Sequence, residues 1–283
     1  MVVNTIAELR HLLRKSRSEN KSIGLVPTMG FLHDGHLSLI EQAKRENDTV
    51  IVSIFVNPTQ FGPNEDFETY PRDMERDTQL ATKAGADIIF NPSVMEMYPD
   101  ESSTWVITEG HITSILCGAS RPVHFKGVTT VVNMLFNIVA PDSAYFGQKD
   151  AQQAAVLTKM VRDLHMNVQL IICPIVREVD GLALSSRNTY LSKEERKQAA
   201  ILSKSLQLAL DEFNNGETDT DKLVALVRKN IMSMPLANIE YVKIYAYPSL
   251  TEIKRIEDTS IVAVAARFGK TRLIDNVILK KRK

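Results

Sequence analysis

The chain has 283 residues, of which 44% are hydrophobic and 24% are charged, and this composition excludes a disordered, collagen-like or coiled-coil protein. Its 34 Lys and Arg residues balance its 34 Asp and Glu residues, so there is no overall basic field to attract nucleic acid or an anionic membrane. The length predicts two domains of about 100–200 residues each.

Strand and helix patterns alternate from the start of the chain. A capping box at Thr5–Glu8 begins a helix that runs to about Arg17. The apolar runs Ser22–Val26 and Thr49–Phe55 predict buried strands, and apolar residues at helical spacing predict a helix over His36–Glu46 between them. Strand, helix and strand in this order form a βαβ unit.

The same alternation continues to about residue 173. The predicted elements are a helix over Asp73–Ala84, a strand over Asp87–Phe90, a helix over Val128–Val139, a strand over Ser143–Phe146, a helix over Lys149–His165 and a strand over Val168–Cys173. Alternation of this kind is typical of a Rossmann-like, doubly wound parallel sheet. We therefore expect an α/β domain over residues 1–175.

The pattern changes after Pro174. The predicted elements are one long helix from a capping box at Ser192 to about Phe213, a helix over Asp219–Ser233, and strands over Ile239–Tyr245, Ser260–Phe268 and Thr271–Leu279. Helices followed by neighbouring strands predict a smaller α+β domain over residues 176–283.

The connection after the first strand, Pro27–His36, has the composition of a phosphate site. Gly30 and Gly35 permit close approach of a ligand to the backbone, and His33 and His36 form an HxGH motif where a helix begins. Imidazoles and the unpaired N–H groups of a helix N-terminus can both donate to phosphate oxygens. The alternatives are that one histidine only caps the helix, or that the pair binds zinc with His124 as third ligand.

The loop Leu184–Asn188 lies where the domain changes. The hydroxyls of Ser185 and Ser186 and the guanidinium of Arg187 suit a triphosphate or a leaving pyrophosphate. Such residues are common in linkers, so the loop matters chiefly because it accompanies HxGH. The pairing resembles the two ATP-binding signatures of the nucleotidyltransferase superfamily that includes class I aminoacyl-tRNA synthetases.

Two further groups of polar residues follow strands of the predicted sheet. In Phe146–Asp150, Lys149 supplies positive charge for phosphate, and Asp150 can accept from a ribose hydroxyl, which is compatible with its capping the next helix. Gln60 and Gln153 suit a small hydroxylated acid, because an amide donates to a carboxylate and accepts from a hydroxyl. Taken alone, each glutamine is more typical of a solvated surface residue than of a ligand.

Six segments together resemble the pantothenate synthetase (pantoate–β-alanine ligase) family. They are Pro27–His36, Ser53–Phe61, Tyr70–Arg72, Arg121–Gly127, Phe146–Asp150 with Gln152 and Gln153, and Arg177–Asn188. Two positions depart from the family pattern. Lys243 replaces the acidic residue that often follows Tyr241-Val242, and Leu184 stands where Met is usual.

The resemblance implies that ATP and (R)-pantoate form a pantoyl adenylate, which β-alanine attacks to give pantothenate and AMP. It implies His36 as proton donor, with His33, Lys149 and Arg187 also catalytic, and Gln60 and Gln153 as pantoate ligands, Gln60 also meeting β-alanine. The ATP-binding residues that it implies are Met29, Gly30, Phe31, Leu32, His33, Asp34, Gly35, His36, Gly147, Gln148, Lys149, Asp150, Val176, Leu184, Ser185, Ser186 and Arg187.

The resemblance also implies Mg²⁺ with ATP, a homodimer, and a second domain that acts as a lid over the ATP site. Asp73 and Asp77 are candidate outer partners of the metal, and Asp180-Gly181 is a candidate flexible joint for the lid.

Two other functions remain open from the residues themselves. One is a nucleotidyltransferase that acts on a phosphorylated acceptor, and the other is a non-catalytic nucleotide- or tRNA-binding module. The N-terminal segment is too polar for a signal peptide, the longest apolar region is shorter than the ~20 residues that span a bilayer, and Cys117 and Cys173 lack CxxC spacing. We therefore expect a cytoplasmic protein without membrane or nucleic-acid partners.

Overall fold

The computed structural model describes residues 1–63, 65–100 and 103–281. Within it the chain forms two compact units. The first comprises Met1–Gly147 and Val156–Pro174, and the second comprises Gln148–Ala155 and the chain from Ile175 onward. No helix in the described part of the chain is both long and apolar enough to cross a membrane.

The first unit is built on a six-stranded, wholly parallel sheet in the order β1-β4-β3-β2-β5-β6. Its strands are β1 Val2–Val3, β2 Ile23–Thr28, β3 Thr49–Ile54, β4 Ile88–Phe90, β5 Ser143–Gly147 and β6 Gln169–Cys173. Its helices are α1 Ile6–Ser18, α2 Asp34–Glu46, α3 Met74–Ala84, α4 Val94–Met97, α5 His111–Ser114, α6 Leu116–Ser120, α7 His124–Val139 and α8 Ala151–Asp163, whose first turn groups with the second unit. The Rossmann-like prediction is confirmed.

The sheet positions the site through its strand order. Two clusters of buried apolar side chains cover its faces, and β3 is buried along its whole length. From β2 the chain first builds outward through β3 and β4, then returns to place β5 on the other side of β2. Ligands of doubly wound sheets bind at the carboxyl ends of the strands where this order reverses. The loop that follows β2 begins at that point.

The second unit is a three-stranded antiparallel sheet in the order β7-β8-β9, packed against helices. Its elements are α9 Lys193–Ala199, α10 Ile201–Asn214, α11 Thr220–Ile231, β7 Ala237–Ala246, β8 Ser260–Phe268 and β9 Thr271–Leu279. The α+β prediction is confirmed.

The single helix predicted from Ser192 to Phe213 is wrong, because the chain turns at Ala200 between α9 and α10. The four successive residues from Ala199 to Leu202 are all buried. Successive side chains of one straight helix point in directions about 100° apart, so four in a row cannot all face a single core. A break in the helix lets both parts bury their apolar side chains.

Candidate active site

The loop after β2 is shaped by a buried carboxylate on α3. Gly30 and Phe31 both have left-handed backbone conformations, with φ of 86° and 50°. Asp77, which is 1% exposed, accepts hydrogen bonds from the backbone N–H groups of Phe31 at 2.6 Å and Leu32 at 2.7 Å. A Cβ added at Gly30 would lie 3.0 Å from an Asp77 oxygen, so glycine is what lets the loop close on the carboxylate.

Burial raises the pKa of Asp77, while the N–H groups of Leu32 and Phe31 and the charge of Arg76 oppose that rise. Asp73, the other acidic residue considered for a metal, caps α3 by accepting from the N–H of Arg76 at 3.1 Å. The carboxylates of Asp73 and Asp77 therefore both accept hydrogen bonds from backbone N–H groups.

The two histidines of the motif lie together where α2 begins. His33 is the N-cap residue and His36 is in the first turn, with ring centroids 4.0 Å apart. The backbone N–H of His33 donates to Nδ1 of His36 at 3.3 Å. Because that nitrogen accepts, the neutral ring of His36 carries its proton on Nε2. One histidine thus occupies the capping position, and the other presents an N–H donor.

Gln60 belongs to a buried amide pair that follows β3. Gln60 is 8% exposed, so the alternative of a solvated surface residue is wrong. Its Oε1 accepts from Nδ2 of Asn57 at 3.2 Å, and its Nε2 donates to the sulfur of Met29 at 3.0 Å. Asn57 also accepts from the hydroxyl of Tyr98 at 2.8 Å. These bonds fix the direction of both amides.

A chain of polar side chains supports Gln60 from the segment Arg121–Gly127. Nδ1 of His124 donates to the carbonyl of Gln60 at 3.1 Å, and Nε2 of His124 accepts from Arg121 at 3.3 Å. Arg121 pairs with Glu65 through two hydrogen bonds, one of 2.8 Å from its Nε. Burial acts to raise the pKa of Glu65, but the bonds and charge of Arg121 outweigh it and hold the pKa below its usual value.

Helix α7 approaches the backbone of Thr59 and Gln60 closely at Gly127. A Cβ at Gly127 would lie 2.4 Å from the carbonyl oxygen of Thr59 and 2.5 Å from the nitrogen of Gln60, so only glycine fits there. Both nitrogens of His124 have the partners named above, and no cluster of three His, Cys, Asp or Glu side chains placed to hold a metal occurs among the described residues. The zinc alternative finds no support.

Sequence reasoning assigned no role to Asn57 or Arg121, and it considered His124 and Asp77 only as possible metal partners. The contacts of Asn57, Arg121 and His124 with Gln60 depend on the fold. Asp77 lies on an ordinary amphipathic helix, and no local pattern points to its contact with the loop.

In the second unit a hairpin carries the serine loop. The N–H of Leu184 donates to the carbonyl of Val176 at 3.0 Å, and Arg177 pairs with Ala183 in an antiparallel bridge. Ser185 caps the 3₁₀ turn Ser186–Tyr190 by accepting from the N–H of Arg187 at 3.3 Å. The hydroxyl proton of Ser185 is not used in that bond, so it can donate to a ligand.

The flexible joint predicted at Asp180-Gly181 is a turn held by hydrogen bonds. Gly181 has φ of 95°, and its N–H donates to the carbonyl of Glu178 at 2.8 Å. Arg196 on α9 donates to Asp180 and to Glu178, each at 2.6 Å. The hairpin is therefore held to the helices of its own unit.

Lys149 lies in a short 3₁₀ turn, Gln148–Asp150, that precedes α8 and belongs to the second unit. The helix predicted to begin at Lys149 thus begins two residues later, at Ala151. The Lys149 side chain is 20% exposed, and its Nζ lies 3.9 Å from a carboxylate oxygen of Asp150. Gln153 is half-buried in the first turn of α8.

Comparisons with known proteins agree with one another. The family model described as Pantoate-beta-alanine ligase matches residues 1–278. The pantothenate synthetase of Acetivibrio thermocellus is 57% identical over 279 residues, which cover 99% of each chain. A crystal structure of pantothenate synthetase from Thermus thermophilus has a TM-score of 0.93, with 45% identity over 98% of both chains. A pantoate-beta-alanine ligase from Francisella tularensis, complexed with beta-gamma ATP and beta-alanine, has a TM-score of 0.78, with 36% identity over 98% of this chain and 97% of that one.

The role of Asp77 can be tested with an isosteric change. In Asp77→Asn one of the two acceptor oxygens becomes an NH₂ group, which meets the N–H of Phe31 or Leu32 as a second donor. We expect ATP affinity, measured by calorimetry, to fall about tenfold, which corresponds to the loss of one hydrogen bond to a charged group. Asp73→Ala on the same helix is the control, and it should lower stability by about 1 kcal/mol without changing ATP affinity. Equal loss of affinity in both variants would contradict a specific effect of Asp77 on the loop.

Proposed function

The chain belongs to the pantoate–β-alanine ligase family, and on that premise we propose which of its residues carry each step of the family's reaction. The protein is an enzyme that uses ATP to condense (R)-pantoate with β-alanine, giving pantothenate, AMP and pyrophosphate through a pantoyl adenylate. The observation that carries this function is the match to the family over nearly the whole chain, at 57% identity to one member.

In the first step a carboxylate oxygen of pantoate attacks the α-phosphorus of ATP, and the bond to pyrophosphate breaks. Negative charge develops on the phosphate oxygens, so preorganised donors are the main requirement. We assign Met29–His36 to the nucleotide, with Gly30 and Gly35 allowing close backbone approach. The fixed loop beside Asp77 and the N-terminus of α2 support this assignment.

His36 acts in this proposal as a donor at the phosphates. Its Nδ1 accepts from the backbone of His33, so the neutral ring carries its proton on Nε2, and we assign this N–H to the phosphates without a change of tautomer. Pyrophosphate is a good leaving group, which makes charge stabilisation more important here than proton transfer. His33, whose ring lies against that of His36, is assigned beside the phosphates.

The remaining nucleotide ligands, apart from Gly147, belong to the second unit. We assign Gly147–Asp150, Val176 and Leu184–Arg187 to ATP, with Lys149 and Arg187 as the cations that meet its phosphates. The spare hydroxyl proton of Ser185 supports this assignment. Mg²⁺ enters as part of the substrate MgATP, and its ligands are chiefly phosphate oxygens.

We assign pantoate to Gln60 and Gln153, and add Asn57 because its amide is paired with that of Gln60. In the second step the amine of β-alanine forms a bond to the acyl carbon, the bond from that carbon to AMP breaks, and the nitrogen loses a proton. Gln60 also meets β-alanine in this assignment. Its burial and its fixed amide direction support a role in orienting small acids.

The family resemblance further supports a homodimer, which light scattering coupled to size-exclusion chromatography would measure directly. It also supports a second unit that closes as a lid. The hairpin Arg177–Ala183 is fastened within that unit through Arg196, so the serine loop would move with the unit as one body.

The reaction itself is tested by product analysis. ATP with pantoate alone should release one equivalent of pyrophosphate per site and hold the adenylate, and continuous AMP release should require β-alanine as well. AMP release that does not depend on pantoate would contradict the assigned substrate, and release without β-alanine would indicate a different acceptor.

His36→Ala removes one preorganised donor, and we expect adenylate formation in single-turnover experiments to slow by about 10²–10³-fold. His36→Gln places an amide N–H near the position of Nε2–H and should recover part of the rate, because charge stabilisation needs only a donor. His11→Ala, at an exposed histidine on α1, is the control and should match the wild type. Adenylate formation by His36→Ala within a few-fold of the wild type would rule out the phosphate role.

Closure of the second unit is tested by limited proteolysis with trypsin. Cleavage after Arg187 and the exposed Lys193 should slow markedly when ATP and pantoate are both present, because closure protects the loop and excludes water from the adenylate. Cleavage after Lys21, exposed in the first unit, should not change. Equal rates at Arg187 and Lys193 with and without ligands would argue for a static loop and would leave the reaction unaffected.

A further inference from the structure

Two neighbouring residues of β9 bury polar side chains in the small sheet. Asp275 is 2% exposed and Asn276 is 3% exposed, although most of the surrounding core is aliphatic. Burying a carboxylate and an amide is costly unless hydrogen bonds replace their water. Successive side chains of a strand point to opposite faces, so the pair can reach two different segments of the chain.

Asn276 binds the turn that carries Lys149. Its Nδ2 donates to the carbonyl of Gln148 at 2.9 Å and to the carbonyl of Lys149 at 3.0 Å. Its Oδ1 accepts from the Gln148 side chain at 3.1 Å. One buried amide therefore makes three hydrogen bonds to this turn, and two of them hold the backbone from which the Lys149 side chain extends.

Asp275 binds the hairpin that carries the serine loop. Arg177 donates to its two carboxylate oxygens at 2.6 Å and 3.0 Å, and the same guanidinium donates to the carbonyl of Gly181 at 3.0 Å. The N–H of Asn276 donates to Asp275 at 2.7 Å, which links the two residues. Burial raises the pKa of Asp275, and Arg177 and the charge of Lys149 oppose the rise.

We propose that Asp275 and Asn276 are positioning residues that set Lys149 and the Ser185–Arg187 loop at a fixed spacing for the triphosphate of ATP. The inference rests on the proposed function, because it uses the assignment of both segments to ATP. Neither residue touches substrate. They act through Lys149 and Arg177, and the peptide bond that joins them couples the two segments.

The two half-reactions separate positioning from general stability. Adenylate formation needs the triphosphate cations, whereas attack of β-alanine on a preformed adenylate involves no pyrophosphate. Asn276→Asp keeps the shape of the side chain but turns an oxygen toward the carbonyls of Gln148 and Lys149. Pyrophosphate release from ATP and pantoate should fall about 10–100-fold, since small misplacements of a binding group cost rates of this order. Conversion of synthetic pantoyl adenylate and β-alanine to pantothenate should stay near the wild-type rate.

Three further variants complete the test. Asp275→Asn, which weakens the pairing with Arg177, should show the same split and substitutes for Asn276→Asp if that variant does not fold. Val227→Ala, in the same core on α11, should lower the melting temperature and leave the ratio of the half-reactions unchanged. In a Lys149→Ala background, Asn276→Asp should add little further loss, because a residue that acts through Lys149 has no effect once Lys149 is gone.

Equal loss of both half-reactions in Asn276→Asp and Asp275→Asn would overturn the inference and make the pair part of the core only. A loss in Asn276→Asp that adds to that of Lys149→Ala would overturn it as well. The proposed function fails by a different result, in which the wild-type enzyme releases no pyrophosphate from ATP and pantoate. In that case the inference falls with it.

Discussion

The carboxylate of Asp77 holds the loop that leads into the HxGH motif. Leu32 is fully buried, so its N–H cannot bond to water, and the short bonds from Phe31 and Leu32 satisfy both the loop and the carboxylate. With these two N–H groups fixed, the next one along the chain, that of His33, reaches Nδ1 of His36. The tautomer of His36, the donor that we propose for the phosphates, thus depends on a loop held by a residue on another helix.

In the second unit a buried side chain also holds a loop through its backbone, but here the side chain donates the hydrogen bonds and the backbone accepts them. In the first unit an anion accepts from two N–H groups, and in the second the amide of Asn276 donates to two carbonyls. Both side chains are almost completely buried, where unpaired polar groups are most costly and paired ones are strongest. The two loops that we assign to the substrate are thereby held through their backbones.

The sequence predicted the features that have local signals. Alternating apolar runs gave the Rossmann-like sheet, capping boxes at Thr5 and Ser192 marked helix starts, and the motif segments gave the family. It failed where contacts are remote, since Asp77 lies 45 residues from Leu32 and Asn276 lies 127 residues from Lys149. The apolar periodicity of the sequence also gave no sign of the break between α9 and α10 at Ala200, because apolar residues at helical spacing resume after it. The individual roles of the site residues stay predictions.

The origin of the His36 tautomer has a consequence for mutational robustness. In many enzymes an acidic side chain orients the histidine, and a single substitution can remove it. Here the orienting group is a main-chain N–H, which every residue except proline possesses. Drift at position 33 can therefore alter the stacking of the rings while the donor at position 36 keeps its orientation. Changes that reshape the loop backbone are the ones that natural selection has to remove.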